Sequence, residues 1–226
     1  MKLKEIEKAI ELLNNGEIAD LKSLLAYERQ KEILNGDTKK TTFLTAVKAV
    51  IDSKDLKLAR PSLACIEHTP DGKPFICDGY LAVRWNVAKP ELDGLPQDVG
   101  TPIAINNLIN VDIANRYTVT DDDRLIMRNL AKFTKLGNDK NRTIYLFGSF
   151  FNAGYLKKLF DIIGYDITEV GYERSGYTSS NLKAHHFETA DSSAIICPIR
   201  VLETEKKKAI IDTTNDFLAM LKGDKE

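Results

Sequence analysis

Apolar residues along the chain recur at two periods. From 3 to 15, Leu3, Ile6, Ile10 and Leu13 fall three and four positions apart, which is the spacing of one helix face, and Gly16 follows where a helix needs a left-handed stop. Ile18, Leu21, Leu24, Leu25 and Leu34 repeat the pattern over 18–35 before the turn-like Asn35-Gly36-Asp37, so a helical hairpin and a short polar joint are predicted. A third amphipathic helix is expected over 41–52, opening at Thr41 or Thr42. It carries Phe43, Leu44, Val47, Val50 and Ile51 on one face and Lys48 and Asp52 on the other.

From Ser62 the period changes to two. The runs SLACIEH and PFICDGYLAVRWN flank Pro70-Asp71-Gly72-Lys73, which predicts a hairpin with Asp71-Gly72 as a two-residue loop and Ile66 opposite Cys77. In its second strand, 74–86, Phe75, Cys77, Leu81, Val83 and Trp85 share one face, and Asp78, Tyr80 and Arg84 share the other. Residues 88–142 read as an irregular insertion. It holds a short helix over 104–115 through Ile105, Leu108, Ile109 and Ile113, then strands at 117–120 and 124–127 around an acidic turn, Asp121-Asp122-Asp123.

Regular patterning returns with a strand at 143–147 and a helix at 153–163. That helix has Tyr155, Leu156, Leu159, Phe160 and Ile163 inward and Lys157 and Lys158 outward. Strands near 166–173, 181–188 and 193–201 follow, the last alternating Ile195, Cys197, Ile199 and Val201. An amphipathic helix over 203–221 ends the pattern, on Ile210, Ile211, Phe217, Leu218 and Leu221. The fold class is α+β, in three parts: a helical hairpin (1–37), an α+β domain (38–202) with its insertion at about 88–142, and a C-terminal helix (203–226).

Composition narrows the function classes. The 226 residues are 43% hydrophobic and 29% charged, enough for a substantial core, which excludes disorder. The 32 Lys and Arg balance 33 Asp and Glu, so any nucleic-acid binding must come from a local patch. No apolar run approaches the roughly 20 residues of a membrane span, and three cysteines without a C-x-x-C spacing indicate neither a disulfide framework nor a zinc knuckle. A cytoplasmic protein without membrane contact, metal or cofactor is expected.

Enzyme readings fail on geometry. His185 and His186 are adjacent in a predicted strand and point to opposite faces, so they cannot share a metal. His68 with Cys65 or Cys77 would make a nucleophile–base pair, but nothing marks either thiol as activated. The run Asp121–Asp123 lacks the spaced oxygens of a calcium loop. Phe75, Tyr80 and Trp85 are candidates for base stacking, with Phe75 and Trp85 patterned as core instead. A hydrolase using His68 or Asp122 is the weakest functional alternative.

Two stretches resemble the bacterial sliding clamp, the beta subunit of the replicative DNA polymerase. The first is a helix leading into Ala59-Arg60-Pro61-Ser62-Leu63, a hairpin, and Cys77-Asp78-Gly79-Tyr80-Leu81-Ala82, similar to the clamp's Arg-Pro-x-Leu strand start and its Thr-Asp-Gly-His-Arg-Leu strand. The second is Phe151-Asn152-Ala153-Gly154-Tyr155-Leu156 with three strands ending in Cys197-Pro198-Ile199-Arg200-Val201, similar to the clamp's Phe-Asn-x-x-Tyr-Leu helix start and its terminal Met-Pro-Met-Arg-Leu strand. The resemblance implies a pair of units whose helices, here 41–52 and 153–163, lie side by side on one face of strands including 74–86 and 193–201. The length suits one such module, as in a phage or mobile element. It also implies a non-enzymatic processivity or docking factor that grips double-stranded DNA without sequence preference and binds a DNA polymerase or other clamp-binding peptides, and a homo-oligomer is expected.

A sliding protein needs Lys and Arg aimed at phosphates rather than bases. The candidates are Lys39, Lys40, Lys48, Lys54, Lys57 and Arg60 near the first helix and Lys157 and Lys158 on the second, although a Lys on a polar helix face is by default simply solvated. For the peptide pocket the resemblance points to Pro198, Ile199, Arg200 and Val201, residues that could equally be plain core. The C-terminal helix is expected to fold back over that pocket as a competitor. The alternative function is a protein–protein interaction module that keeps the clamp fold without binding DNA, its N-terminal hairpin serving as the oligomerising surface.

Overall fold

Asp37 accepts a hydrogen bond from the backbone N–H of Lys40 (3.0 Å) and so starts a helix three residues earlier than the periodicity predicts. This helix, α3 (Thr38–Ile51), follows the hairpin of α1 (Leu3–Asn14) and α2 (Ile18–Ile33). The computed structural model describes residues 3–52, 63–97, 113–136, 142–173 and 184–223, with the backbone alone at positions 3 and 114. Lys54, Lys57 and Arg60, the Arg60-Pro61 part of the first clamp-like stretch, and 104–112 of the expected helix lie outside the described residues.

After α3 come β1 (Glu67–His68), β2 (Pro74–Cys77) and β3 (Leu81–Trp85), then β4 (Ile113–Thr118), α4 (Asp121–Arg128) and α5 (Leu130–Phe133). The chain continues through β5 (Thr143–Leu146), β6 (Ser149–Asn152), α6 (Ala153–Ile163), β7 (Glu169–Glu173), β8 (His185–Glu188), β9 (Ser192–Ile196) and α7 (Thr204–Gly223). Seven strands form one antiparallel sheet in the order β1-β2-β3-β9-β8-β7-β4, and β5-β6 form a separate hairpin. The fold is therefore α+β. Within the sheet, α3 followed by β1-β2-β3 and α6 followed by β7-β8-β9 are equivalent units, each a helix leading into a three-strand meander. They join through their third strands, with Val83 opposite Ala194.

Helices α3 and α6 pack side by side on one face of this sheet. Leu44, Val47, Val50 and Ile51 of α3 and Leu156, Leu159 and Phe160 of α6 are buried with Ile76, Leu81, Val83, Trp85, Ala194 and Ile196 from the strands. Phe75, Ala82, Cys77 and Ile195 form a smaller cluster on the other side. Asn152 caps α6 by accepting from the N–H groups of Gly154 (2.8 Å) and Tyr155 (3.1 Å).

Several sequence expectations are corrected. The expected single strand 74–86 is two strands, because the Asp78 side chain accepts from the N–H groups of Tyr80 (3.0 Å) and Leu81 (2.9 Å) and Gly79 takes a positive φ of 93°, turning the chain back on itself. The first hairpin is closed at Thr69 and Lys73, leaving Pro70-Asp71-Gly72 as a three-residue loop with Gly72 at φ 77°. The extra loop residue shifts the register by one, so Glu67 faces Phe75. The acidic turn and the strand expected at 124–127 are instead α4. Thr120 and Asp123 cap each other reciprocally, and three carboxylates in a first turn are favoured by the helix dipole. Residues 113–115, expected to be helical, begin β4. The last strand ends at Ile196 rather than 201, and β6 precedes α6 where only the helix was expected.

The β5–β6 connection is the two-residue turn Phe147-Gly148, both at positive φ (51° and 74°). A left-handed Phe costs about 1–2 kcal/mol. Packing offsets this: the ring is buried against Phe160, Phe187 and Tyr117, and the Phe147 carbonyl accepts from the Tyr172 hydroxyl. Burial pushes the phenols of Tyr117 and Tyr172 up to about 12, the Asp123 carboxylate adding to the effect at Tyr117. Burial and Asp161 likewise push Tyr165 up. A phenol whose pKa is raised on folding contributes stability that is complete below its unfolded value, near 10, and is lost as pH climbs through the folded value. The urea midpoint is therefore expected to fall between about pH 10 and 12, with phenolate absorbance rising as the chain unfolds. Ionisation of these tyrosines near pH 10 in the folded protein would contradict the assignment.

Candidate nucleic-acid interface and peptide groove

The surface turned away from the sheet on α3 and α6 is built largely from small residues. Thr41, Thr42, Thr45, Ala46 and Ala49 of α3 face Lys157, Lys158 and Asp161 of α6 across a shallow groove of about 280 Å³. The hydroxyls of Thr41 and Thr45 donate back to the carbonyls of Asp37 (2.9 Å) and Thr41 (2.8 Å), so they fold inward along the helix.

Lys157 pairs with Asp161 one turn on, and the ammonium of Lys158 sits 4.8 Å from the ring centre of Tyr155. Tyr155 in turn meets the exposed Tyr80 edge-on at 6.0 Å. Lys39 lies at the N-terminal end of α3, beside Phe160, Tyr165 and Asp166 at the C-terminal end of the antiparallel α6. The other two described candidates turn elsewhere. Lys40 reaches toward Glu91 at 3.5 Å, and Lys48 pairs with Asp52 and stands 4.9 Å over the Tyr27 ring of α2. The structure thus gathers Lys157 and Lys158 on the shared groove and separates Lys40 and Lys48 from it.

A second groove, about 490 Å³, runs along the C-terminal segment. Because β9 stops at Ile196, Pro198–Val201 leave the sheet, and Ile199 is fixed by its N–H donating to the Phe150 carbonyl (2.7 Å). Arg200 and Val201 line the groove, with Arg142 and Thr143 on one side and Lys206 and Ile210 of α7 on the other. Pro198 and Ile199 lie outside it. Arg142 escaped the sequence analysis; its signal was the basic Lys140-Asn141-Arg142 run, which loop composition masked. Its guanidinium rests 4.9 Å from the Phe133 ring centre. Arg142, Arg200 and Lys206 outnumber the single acid in the lining, Glu203. This positive, partly apolar channel can take an extended chain bearing a carboxylate next to an apolar residue.

The expectation that the C-terminal helix lies over this pocket is corrected. Thr214 accepts from the Tyr145 N–H (3.2 Å), Phe217 meets Phe133 edge-on at 5.1 Å, and Lys222 pairs with Asp122 at 2.8 Å, so the buried side of α7 is held against β5 and α4–α5. Its first half forms a wall of the groove and leaves the channel open.

The residues weighed for catalysis are apart. His185 is buried between Phe151 and Tyr172 on the opposite sheet face from its neighbour His186. Cys65 donates to Glu67 (3.7 Å), and His68 lines a different pocket with Trp85. Among the described residues no three His, Cys, Asp or Glu side chains converge as a metal site, and no helix is long and apolar enough to cross a membrane. Phe75 and Trp85 are fully buried, whereas Tyr80 is 61% exposed. The chain matches no protein-family model, no curated protein and no solved structure.

Proposed function

We propose that the chain is a sliding-clamp-like processivity or docking factor that holds double-stranded DNA against the outward face of α3 and α6 and recruits a polymerase or similar partner by a peptide laid in the Arg142–Arg200 groove. The observation that carries this reading is the pairing of two helix-plus-meander units about the β3–β9 seam, which sets two helices side by side and antiparallel on one surface. Such a surface meets the phosphate backbone of a duplex without reading its bases.

On this reading, duplexes of any sequence bind with an affinity that falls steeply as salt rises. Reversing Lys157 and Lys158 to Glu together should weaken every duplex about equally and flatten the slope of log affinity against log salt by roughly two, one unit per lost phosphate contact. Lys48→Glu should leave the slope unchanged, since that side chain is turned to Tyr27 and Asp52. Fluorescence anisotropy with a labelled duplex over a salt series reads both. A slope unaffected by the double reversal removes the helix face from the site.

The threonine and alanine surface of α3 favours a second reading, an interaction module with the clamp fold and no DNA partner. That reading predicts no duplex affinity even at low salt and retained peptide binding at Arg200.

A further inference from the structure

The free edge of β5 opens into the Arg142–Arg200 groove. The two-residue turn Phe147-Gly148 makes Leu146 and Ser149 the hydrogen-bonded closing pair of the β5–β6 hairpin, and along antiparallel strands such pairs alternate with unbonded ones. Tyr145 and Thr143 therefore turn their backbone N–H and C=O groups away from β6. Three bonds fix this phase. The Tyr145 N–H leaves the hairpin to reach the Thr214 hydroxyl (3.2 Å), the Phe150 carbonyl opposite it accepts from the Ile199 N–H (2.7 Å), and the Ala153 N–H donates across the hairpin to the Arg142 carbonyl (2.9 Å).

Helix α7 covers this edge unevenly. At Tyr145 its Thr214 hydroxyl satisfies the N–H. Two residues upstream the groove separates Thr143 from Ala209, Ile210 and Thr213, and the Thr143 N–H and C=O have no partner among the described residues. The Thr213 hydroxyl is turned back to the Ala209 carbonyl (2.8 Å). An unpaired strand edge is a template for another extended chain.

Charge and alternation identify that chain. Glu203 is paired with Lys206 (3.1 Å), which leaves the guanidiniums of Arg142 and Arg200, neither in an ion pair among the described residues, to receive an anion. Residues directly opposite each other on neighbouring strands share a face. Arg142 and Ile144 share the core-side face of β5, since Ile144 is buried and Arg142 lies over the Phe133 ring. A residue paired with Thr143 therefore shows its side chain on the other face. Its chain neighbour meets Arg142, where a carboxylate fits.

Building on the peptide reading of this groove, we infer that the partner segment binds by adding a short strand to β5 at Thr143. One peptide carbonyl accepts from the Thr143 N–H, one peptide N–H donates to the Thr143 carbonyl, and the adjoining Asp or Glu pairs with Arg142. Thr214 stops the added strand at Tyr145, so the occupant is a short extended segment.

A phage-displayed library of random heptapeptides, panned against the full chain, supplies the probe, and its binders should carry an acid beside an apolar residue. Arg142→Glu with Arg200→Glu should weaken them at least tenfold; peptides indifferent to that reversal, or none enriched, overturn the groove reading and the inference with it. On a peptide that passes, methylating the backbone nitrogens one at a time should weaken binding by roughly threefold to tenfold at one position, for one lost hydrogen bond, and by much less at the positions on either side. Thr143→Pro removes the outward N–H without breaking a ladder bond and should weaken the peptide similarly, whereas Thr143→Val should bind as the wild type does. Hydrogen exchange of the Thr143 amide, followed by NMR in the wild type, should slow when the peptide is added, a readout that does not depend on the proline variant folding. Peptides that require the two arginines yet neither protect the Thr143 amide nor distinguish one nitrogen from its neighbours overturn the inference alone.

Discussion

Ending the chain after Leu202 is expected to lower its unfolding free energy by about 3–6 kcal/mol, the burial contribution of the two large side chains that it deletes. Phe217 and Leu221 are 2% and 4% exposed, and the loss also strips Tyr145 N–H of its acceptor on Thr214. Against a total stability of about 5–15 kcal/mol, a loss of this size leaves a chain close to its unfolding threshold. Thermal melting followed by circular dichroism should show it, and melting at the full-length temperature would refute the packing of α7. The same truncation separates two roles for this helix. As a wall of the Arg142–Arg200 groove its removal weakens an acidic, apolar peptide, whereas a lid would have produced tighter binding. To keep binding separate from unfolding, Ile210→Asp and Lys206→Glu in the intact chain should weaken the peptide while the melting temperature stays near that of the wild type.

Phe160→Ala is expected to cost about 3–5 kcal/mol, as for other fully buried aromatics cut back to a methyl group. The ring has no solvent exposure and packs edge-on against Phe147 (6.3 Å) and Phe187 (5.8 Å) and obliquely against Tyr165 (5.8 Å). It thereby links α6 to the sheet and to the left-handed turn at Phe147. Phe160→Leu, which retains much of the volume, should cost less than half as much. Urea unfolding of both variants measures this, and equal losses would mean that the site relaxes around either substitution.

The long amphipathic helices were legible because periodicity alone determines them. The structure begins and ends α1, α2, α6 and α7 within two residues of the sequence expectation. Short elements were not, since each is decided by one or two side-chain bonds that compete with the pattern. The alternation from Phe75 to Trp85 runs unbroken through Asp78-Gly79, so it reads as one strand. The Asp78 carboxylate bonding two backbone N–H groups makes it two. Asp121–Asp123 reads as a solvated turn until Thr120 is recognised as a cap. At the candidate grooves, the sequence singled out Lys157, Lys158, Arg200 and Val201, which line them, but could not say which lysines share a surface, because the tilt of Lys40 and Lys48 depends on Glu91 and Tyr27, partners distant in sequence. Arg142 could be found only once β5 and α7 were packed together.

The β3–β9 seam also bears on how the molecule acquires its shape. Ala82 and Ile195 stand opposite each other in the ladder although more than a hundred positions separate them, so the loop-closure entropy of this pairing must be met before its contacts give anything back. Each meander is local and can form early, but joining them has to wait for the whole chain. A nascent chain emerging from the ribosome would therefore present the edge of β3 unpaired until the final strand arrives. An open edge of that kind is a template for pairing with another chain. Variants at the seam, such as Val83→Ala or Ala194→Gly, should accordingly change the unfolding rate far more than the folding rate.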